Sequence, residues 1–97
     1  MKEYIYNDEQ VLRAIKRLFP EEEMNEIQEI LSLYGDQNGK GRQRICLAVL
    51  KLSQGDEERL LYFLNEALID FRDVLSLAEY DKNGKEILNP YKELGIE

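Results

Sequence analysis

Apolar residues recur along this chain at intervals of three and four positions, the spacing that places side chains on one face of an α-helix. The stretches with this spacing are separated by turn-forming residues, and strict alternation of apolar and polar residues never extends beyond a few positions. The pattern therefore predicts an all-α domain spanning residues 1–97, a compact bundle of about five short helices.

The first two predicted helices are delimited by capping residues and by proline. Asn7 is a suitable N-cap, and Gln10 three positions later completes a capping box. We expect the first helix to end near Phe19, because Pro20 disfavours helical backbone in the residue before it. Pro20 suits the first turn of the second helix, and Gly35 is its predicted C-cap. The predicted core residues of these two helices are Val11, Ala14, Ile15, Leu18, Met24, Ile27, Leu31 and Tyr34.

The third predicted helix, near residues 42–54, is apolar almost all the way round, which is typical of the central helix of a bundle. Asp56 caps the fourth helix, and Asp70 is predicted to break it and to cap a fifth. One unbroken helix to Tyr80 is the alternative that the same pattern allows. Predicted core residues of the fourth and fifth helices are Leu60, Leu61, Phe63, Leu64, Ala67, Leu68, Phe71, Val74, Leu75 and Ala78.

Charge is distributed unevenly along the chain, whose net charge is −7. Between Asp36 and Asp56 there is no acidic residue but there are four basic ones, Lys40, Arg42, Arg44 and Lys51. Cations near a helix N-terminus oppose the helix dipole by up to about 1 kcal/mol each. For Lys40, Arg42 and Arg44 we therefore expect compensation, either by carboxylates such as Glu26 and Glu29 or by an external anion. The overall acidity makes nucleic acid and anionic membranes unfavourable partners and favours basic proteins.

The residue inventory argues against catalysis. The chain has no histidine, so the commonest general base near neutral pH is missing. Cys46 lies in an apolar run, where burial would keep it a protonated thiol. One cysteine without histidine cannot make a zinc site. We therefore predict a protein that is not an enzyme and that uses no cofactor or metal.

The same inventory suggests a cellular compartment. A single cysteine cannot form an internal disulfide, which fits a reducing environment. Residues 1–6 lack the apolar segment of a signal peptide, and no uncharged apolar run approaches the roughly 20 residues needed to span a bilayer. The expectation is a cytoplasmic protein with no membrane partner.

Several apolar and aromatic residues fall outside the predicted core faces. Such residues are ordinary singly, but together they indicate a binding surface for a protein partner or a homodimer. Tyrosines predicted at the surface are Tyr4, Tyr6, Tyr62, Tyr80 and Tyr91. With the basic residues included, the candidate interaction surface comprises Lys40, Arg42, Arg44, Leu47, Tyr62, Ile69 and Leu77.

Three parts of the chain resemble a group of small, uncharacterised bacterial proteins. They are residues 44–53 (RICLAVLKLS), the pair Gly55-Asp56, and residues 70–75 (DFRDVL) together with 78–80 (AEY). The resemblance extends loosely back to residues 31–35 and covers about half the chain. It implies a bacterial, cytosolic, helical protein, and it implies no particular activity.

The leading hypothesis is a non-catalytic protein-binding or regulatory protein, whose partner is another protein or a second copy of the chain. A second hypothesis is anion or nucleic-acid binding through the basic stretch 40–51. A third, an inhibitor or immunity-type protein that covers a basic enzyme, fits the size and acidity by analogy. The three hypotheses remain open on the sequence alone.

Overall fold

The computed structural model describes residues 6–34 and 41–96, and within these residues it contains four α-helices and no β-strand. The helices are α1 (Asp8–Leu18), α2 (Met24–Ser32), α3 (Arg42–Ser53) and α4 (Glu57–Glu79). Short 3-10 turns cover Glu21–Glu23 and Lys92–Leu94. The all-α prediction is confirmed, while the predicted number of about five helices is slightly too high.

The ends of α1 form as their local sequence predicts. The Asn7 side chain accepts a hydrogen bond from the backbone N–H of Gln10 at 2.8 Å, and the Gln10 side chain accepts one from the Asn7 N–H at 2.9 Å. Phe19 has extended backbone before Pro20, which ends the helix. Three residues with predicted roles lie outside the described residues. They are Gly35, the predicted C-cap of the second helix, and the predicted surface residues Lys40 and Tyr4.

A kink at Asp70 divides α4 at the predicted break. Asp70 has extended backbone (φ −154°, ψ 100°), and its carboxylate accepts a hydrogen bond from the backbone N–H of Arg72 at 3.1 Å. This contact caps the segment that follows, so the helix restarts at once and no connecting loop separates the two halves. The two predicted helices are therefore one kinked element, which accounts for the lower helix count.

The third helix is central, as the sequence predicts. α3 packs against α1 and along α4, and its residues 45–50 are each no more than 2% exposed. Leu47, which the sequence placed on an exposed interaction surface, is completely buried, so that prediction is wrong. Because a central helix is covered all round, an apolar residue in its middle has no solvent to face.

The predicted burial is also wrong for three further residues, Leu61, Leu68 and Tyr91. Leu61 and Leu68, predicted in the core, are nearly half exposed, because α4 buries only the side that carries Leu60, Leu64 and neighbouring residues. Tyr91, predicted at the surface, is 1% exposed. The chain after α4 folds back onto the bundle and buries three residues of its own in the core, Tyr91, Leu94 and Ile96.

The segment that returns from α4 begins with a tight turn. The Asp81 carboxylate accepts hydrogen bonds from the backbone N–H groups of Asn83 at 2.8 Å and Lys85 at 3.0 Å. Tyr80 and Glu86 then form an isolated antiparallel bridge. No helix in residues 6–34 and 41–96 has both the length and the apolar composition required to cross a membrane.

Candidate interaction surface

The part of α4 that precedes the kink exposes four large apolar side chains on one flank. These side chains are between 44% and 74% exposed, and they belong to Leu61, Tyr62, Leu68 and Ile69. A separation of seven residues brings Leu68 above Leu61 and Ile69 above Tyr62, about 10 Å along the helix axis. Asn65, also exposed, lies in the middle of the four. We call these five residues the α4 face.

Charged residues lie beyond both ends of the α4 face. Glu58 is exposed one turn before Leu61 and Tyr62. Beyond the other end, the side chain of Arg72 is 78% exposed and hydrogen-bonds the Asp70 carboxylate at 3.0 Å. The Arg72 guanidinium lowers the pKa of Asp70 through this contact. A depression of about 430 Å³ near this end is lined by Tyr34, Ala67, Leu68, Ile69, Asp70, Phe71 and Arg72.

Neighbouring side chains limit the freedom of Tyr62. Its ring packs edge-on against Phe63, with the ring centroids 5.1 Å apart and the planes at 85°. A hydrogen bond with the Glu66 carboxylate raises the pKa of the Tyr62 hydroxyl. A side chain that is already ordered loses less entropy when a partner binds it, so Tyr62 is suited to anchor a contact.

Leu77 lies beyond the kink and is separate from the α4 face. It is exposed, as the sequence predicts, together with Tyr80. These two residues line a different depression near the turn that follows α4, together with Ser76, Asp81, Lys82 and Gly84. Of the predicted surface residues, the structure therefore brings together Tyr62 and Ile69 and leaves Leu77 apart.

The described cations of the basic stretch interact with groups of the chain itself. Arg42 lies 3.7 Å from the Asp8 carboxylate. Lys51 donates a hydrogen bond to the carbonyl oxygen of Ala78 at 2.6 Å and lies 3.9 Å from the Glu93 carboxylate. The expected compensation by a carboxylate is therefore present for Arg42.

Arg44 makes the most buried of these ion pairs. Its Nε donates to Glu79 Oε2 at 2.8 Å, and its Nη2 pairs with Glu79 Oε1. Glu79 is 3% exposed, and its Oε2 also accepts a hydrogen bond from the Tyr91 hydroxyl at 2.6 Å. The hydrogen bond with Glu79 raises the pKa of Arg44, and burial together with that carboxylate raises the pKa of Tyr91. These three residues form what we call the Glu79 cluster.

The partners of the arginines differ from the predicted ones. Asp8 and Glu79 provide the carboxylates, whereas Glu26 lies beside Glu57 and raises the pKa of the Glu57 carboxyl by a side-chain hydrogen bond. The helical pattern of the sequence did not predict that Glu79 is buried. One available signal was its position four residues after Leu75, which places it beside the core face of the helix.

The Glu79 cluster links three parts of the fold. It joins α3, the end of α4 and the returning C-terminal segment through charge-assisted hydrogen bonds. Every buried side-chain nitrogen or oxygen of the described residues has a hydrogen-bond partner. The Glu79 carboxylate accepts hydrogen bonds from Arg44 and Tyr91 and is 3% exposed, so a molecule in solution has little access to it.

Burial also governs the state of the Cys46 thiol. Cys46 lies beneath a groove of about 360 Å³ that also exposes Asp8 and Arg42, but the residue itself is 1% exposed. Burial raises the pKa of the thiol to about 11, although the nearby Arg42 acts in the opposite direction. At neutral pH the group is therefore a protonated thiol, which is a poor nucleophile.

The chain matches no family model, no curated protein and no solved structure, so comparison with other proteins does not show its family. Within the part of the chain that the structure describes, no three side chains of His, Cys, Asp or Glu come together as metal ligands. The feature with the clearest functional content is the α4 face, because it is the largest group of exposed apolar side chains on a single described helix.

Proposed function

We propose that this chain is a non-catalytic protein-binding protein and that the α4 face is its binding surface. The observation that carries the proposal is the grouping of Leu61, Tyr62, Leu68 and Ile69 on one flank of one helix. Apolar surface in contact with water is unfavourable by roughly 25 cal/mol per Å². A group of exposed apolar side chains of this kind on a highly charged protein is typical of an interaction site.

The spacing of the exposed residues indicates the kind of contact. Residues at positions i, i+1, i+7 and i+8 form a stripe two turns long, which fits against a second helix or into an apolar groove. Tyr62 is the expected anchor, since tyrosine is enriched among residues that dominate binding energy. The partner should therefore present an apolar helix or groove of similar length.

The alternative functions have less support. Arg42, Arg44 and Lys51 interact with carboxylates or a carbonyl of the chain, so an external anion would have to compete with these groups. Binding to a basic enzyme, as an inhibitor or immunity-type protein, is a narrower form of the proposal supported by the net charge of −7. The resemblance to small bacterial proteins supports a bacterial extract as the first source of partners.

The proposal is tested by capture of partners from such an extract on three immobilised proteins: the wild type, Ile69→Glu and the control Leu88→Glu. Both substitutions put a carboxylate in place of an exposed aliphatic side chain of similar exposure, 74% at Ile69 and 71% at Leu88. We expect the wild type and Leu88→Glu to retain the same specific partner and Ile69→Glu to lose it.

Circular dichroism of the three proteins establishes that each is folded. If all three proteins capture the same material in equal amounts, the α4 face is not the binding surface. If none captures a protein and the wild type also stays monomeric by light scattering at up to millimolar concentration, the proposed function is wrong.

A further inference from the structure

We infer that the α4 face binds the same face of a second copy of this chain, with the two α4 helices antiparallel and Asn65 on the two-fold axis. This inference rests on the proposed protein-binding function and specifies the partner. It follows from the order of residues along the α4 face and from the charges at its ends.

The apolar residues are arranged symmetrically about Asn65. Leu61 and Ile69 lie four residues before and after it, and Tyr62 and Leu68 lie three residues before and after it. In a two-fold dimer, if one residue contacts a second residue on the partner, the second contacts the first in return. Antiparallel helices centred on Asn65 would pair every apolar residue of the α4 face with an apolar residue of the other copy.

The charges at the two ends select the antiparallel orientation. Glu58 lies seven residues before Asn65 in the regular part of the helix and so falls on the same side as Asn65. Arg72 lies seven residues after Asn65 but beyond the kink, and the depression that it lines with Leu68 and Ile69 places it near the α4 face. In the antiparallel pair each Glu58 lies near the partner's Arg72. Because the guanidinium of Arg72 already pairs with Asp70 of its own chain, each of these two contacts is favourable but weak. Parallel helices would place like charges opposite each other at both ends, which is unfavourable.

The depression at the Arg72 end of the α4 face fits this arrangement. Arg72 lines the same depression as Leu68 and Ile69, so it lies near these apolar residues although the kink at Asp70 intervenes. The antiparallel pairing brings the partner's Tyr62 and the partner's Glu58 to this depression, the ring against Leu68 and the carboxylate near the guanidinium.

Asn65 is compatible with the two-fold axis. Its amide has both a donor and an acceptor, so two copies of the same side chain can hydrogen-bond each other. A polar asparagine among apolar positions is a known means of specifying the register of paired helices. The single asparagine of the α4 face therefore marks the centre of the proposed pairing.

The size of the surface determines the expected affinity. A standard stable interface uses about 20–30 residues on each side. The α4 face and its two charged flanks supply seven residues, so the dimer should be weak, with a dissociation constant of about 10–1000 μM. Its formation is therefore to be measured over a range of protein concentration, by sedimentation equilibrium at low salt.

Charge reversal at the two ends provides the decisive test. Glu58→Arg places two cations opposite each other at both ends of the dimer, and Arg72→Glu places two anions there. We expect each variant alone to dimerise at least about tenfold more weakly than the wild type. A mixture of the two variants should recover dimerisation, because both end contacts of the heterodimer again join opposite charges. Glu22→Arg, at an exposed site outside α4, controls for the rise in net charge caused by Glu58→Arg.

A covalent trap tests the position of the axis. Asn65→Cys brings two thiols together at the centre of the dimer, and the native Cys46 is buried and does not compete. Under mild oxidation we expect Asn65→Cys to form a disulfide-linked dimer much faster than Asn25→Cys, which alters an exposed asparagine of α2.

The possible results separate this inference from the proposed function. Recovery in the mixture together with rapid cross-linking at position 65 supports the antiparallel dimer. A wild type that stays monomeric, or a mixture no stronger than its components, overturns it. If Ile69→Glu nevertheless abolishes capture of a different protein, the proposed function stands while the second copy is rejected as partner.

Discussion

Removal of the Tyr91 hydroxyl should measure how strongly the Glu79 cluster holds the returning C-terminal segment. Tyr91→Phe leaves the ring, its edge-on contact with Tyr6 at 5.5 Å and its position near Lys51 unchanged. The substitution deletes one hydrogen bond, the one that the hydroxyl donates to Glu79 Oε2 at 2.6 Å. It therefore tests a single contact without leaving a large cavity.

The expected loss follows from burial and charge. A hydrogen bond to a charged group contributes about 1.5–3 kcal/mol, and here both partners are nearly inaccessible to water. Glu79 retains its two contacts with Arg44, so the carboxylate is not left unpaired and the loss should stay near 2 kcal/mol. For a domain of this length, each kcal/mol lowers the melting temperature by about 4–8 °C. We expect a decrease of about 8 °C or more.

The assay is urea unfolding followed by circular dichroism at 222 nm, with Tyr80→Phe as the control. Tyr80 is 44% exposed, so deletion of its hydroxyl should change the free energy of unfolding by no more than about 0.5 kcal/mol. In a Glu79→Gln background the loss from Tyr91→Phe should fall to about 1 kcal/mol, because the acceptor is then neutral. If Tyr91→Phe is no more destabilising than Tyr80→Phe, the Glu79 cluster does not stabilise the fold in the way described.

Three further predictions concern the core, a turn and the thiol. Leu47→Ala should lower the free energy of unfolding in urea by about 2–5 kcal/mol, as expected for a core leucine. A decrease below about 0.5 kcal/mol would indicate that Leu47 is at the surface. Gly55→Ala should lower the free energy of unfolding by at least about 1 kcal/mol in the same assay. The reason is that φ of Gly55 is +82° and the added Cβ would lie 2.9 Å from the Leu18 carbonyl oxygen. A neutral effect would contradict this geometry. Iodoacetamide at pH 8 should modify Cys46 at least about 100-fold more slowly in the folded protein than in urea. Folding raises the pKa of Cys46 from 9.0 to about 11. The stability that this pKa shift contributes is therefore present below pH 9 and is lost as the pH rises towards 11. Cys46→Ala should not show this loss.

Features that depend on neighbouring residues could be predicted from the sequence. The capping box of Asn7 and Gln10 forms within one turn of helix, and Asp70 interrupts α4 by binding the backbone two residues ahead. The central position of α3 could also be predicted, because a helix that is apolar all round is stable only when it is covered all round. For these features the deciding contacts are close along the chain or follow from composition alone.

The candidate surface could be predicted only in part. Tyr62 and Ile69 lie where the helical pattern of α4 places them, but Leu61 and Leu68 join them because the neighbouring helices cover less of α4 than its apolar stripe is wide. The helical pattern shows which residues share a face. It does not show how much of that face the rest of the chain covers.

What the sequence alone determined is therefore the helical class, the ends of α1 and the position of the kink in α4. Only the tertiary structure decided which residues are buried at the boundaries of each face, and that Arg44 meets Glu79 from 35 positions away. The physical reason is the range of the interactions. Caps and turns join atoms a few residues apart, whereas burial and the pairing of a buried charge depend on segments that meet only when the whole chain has folded.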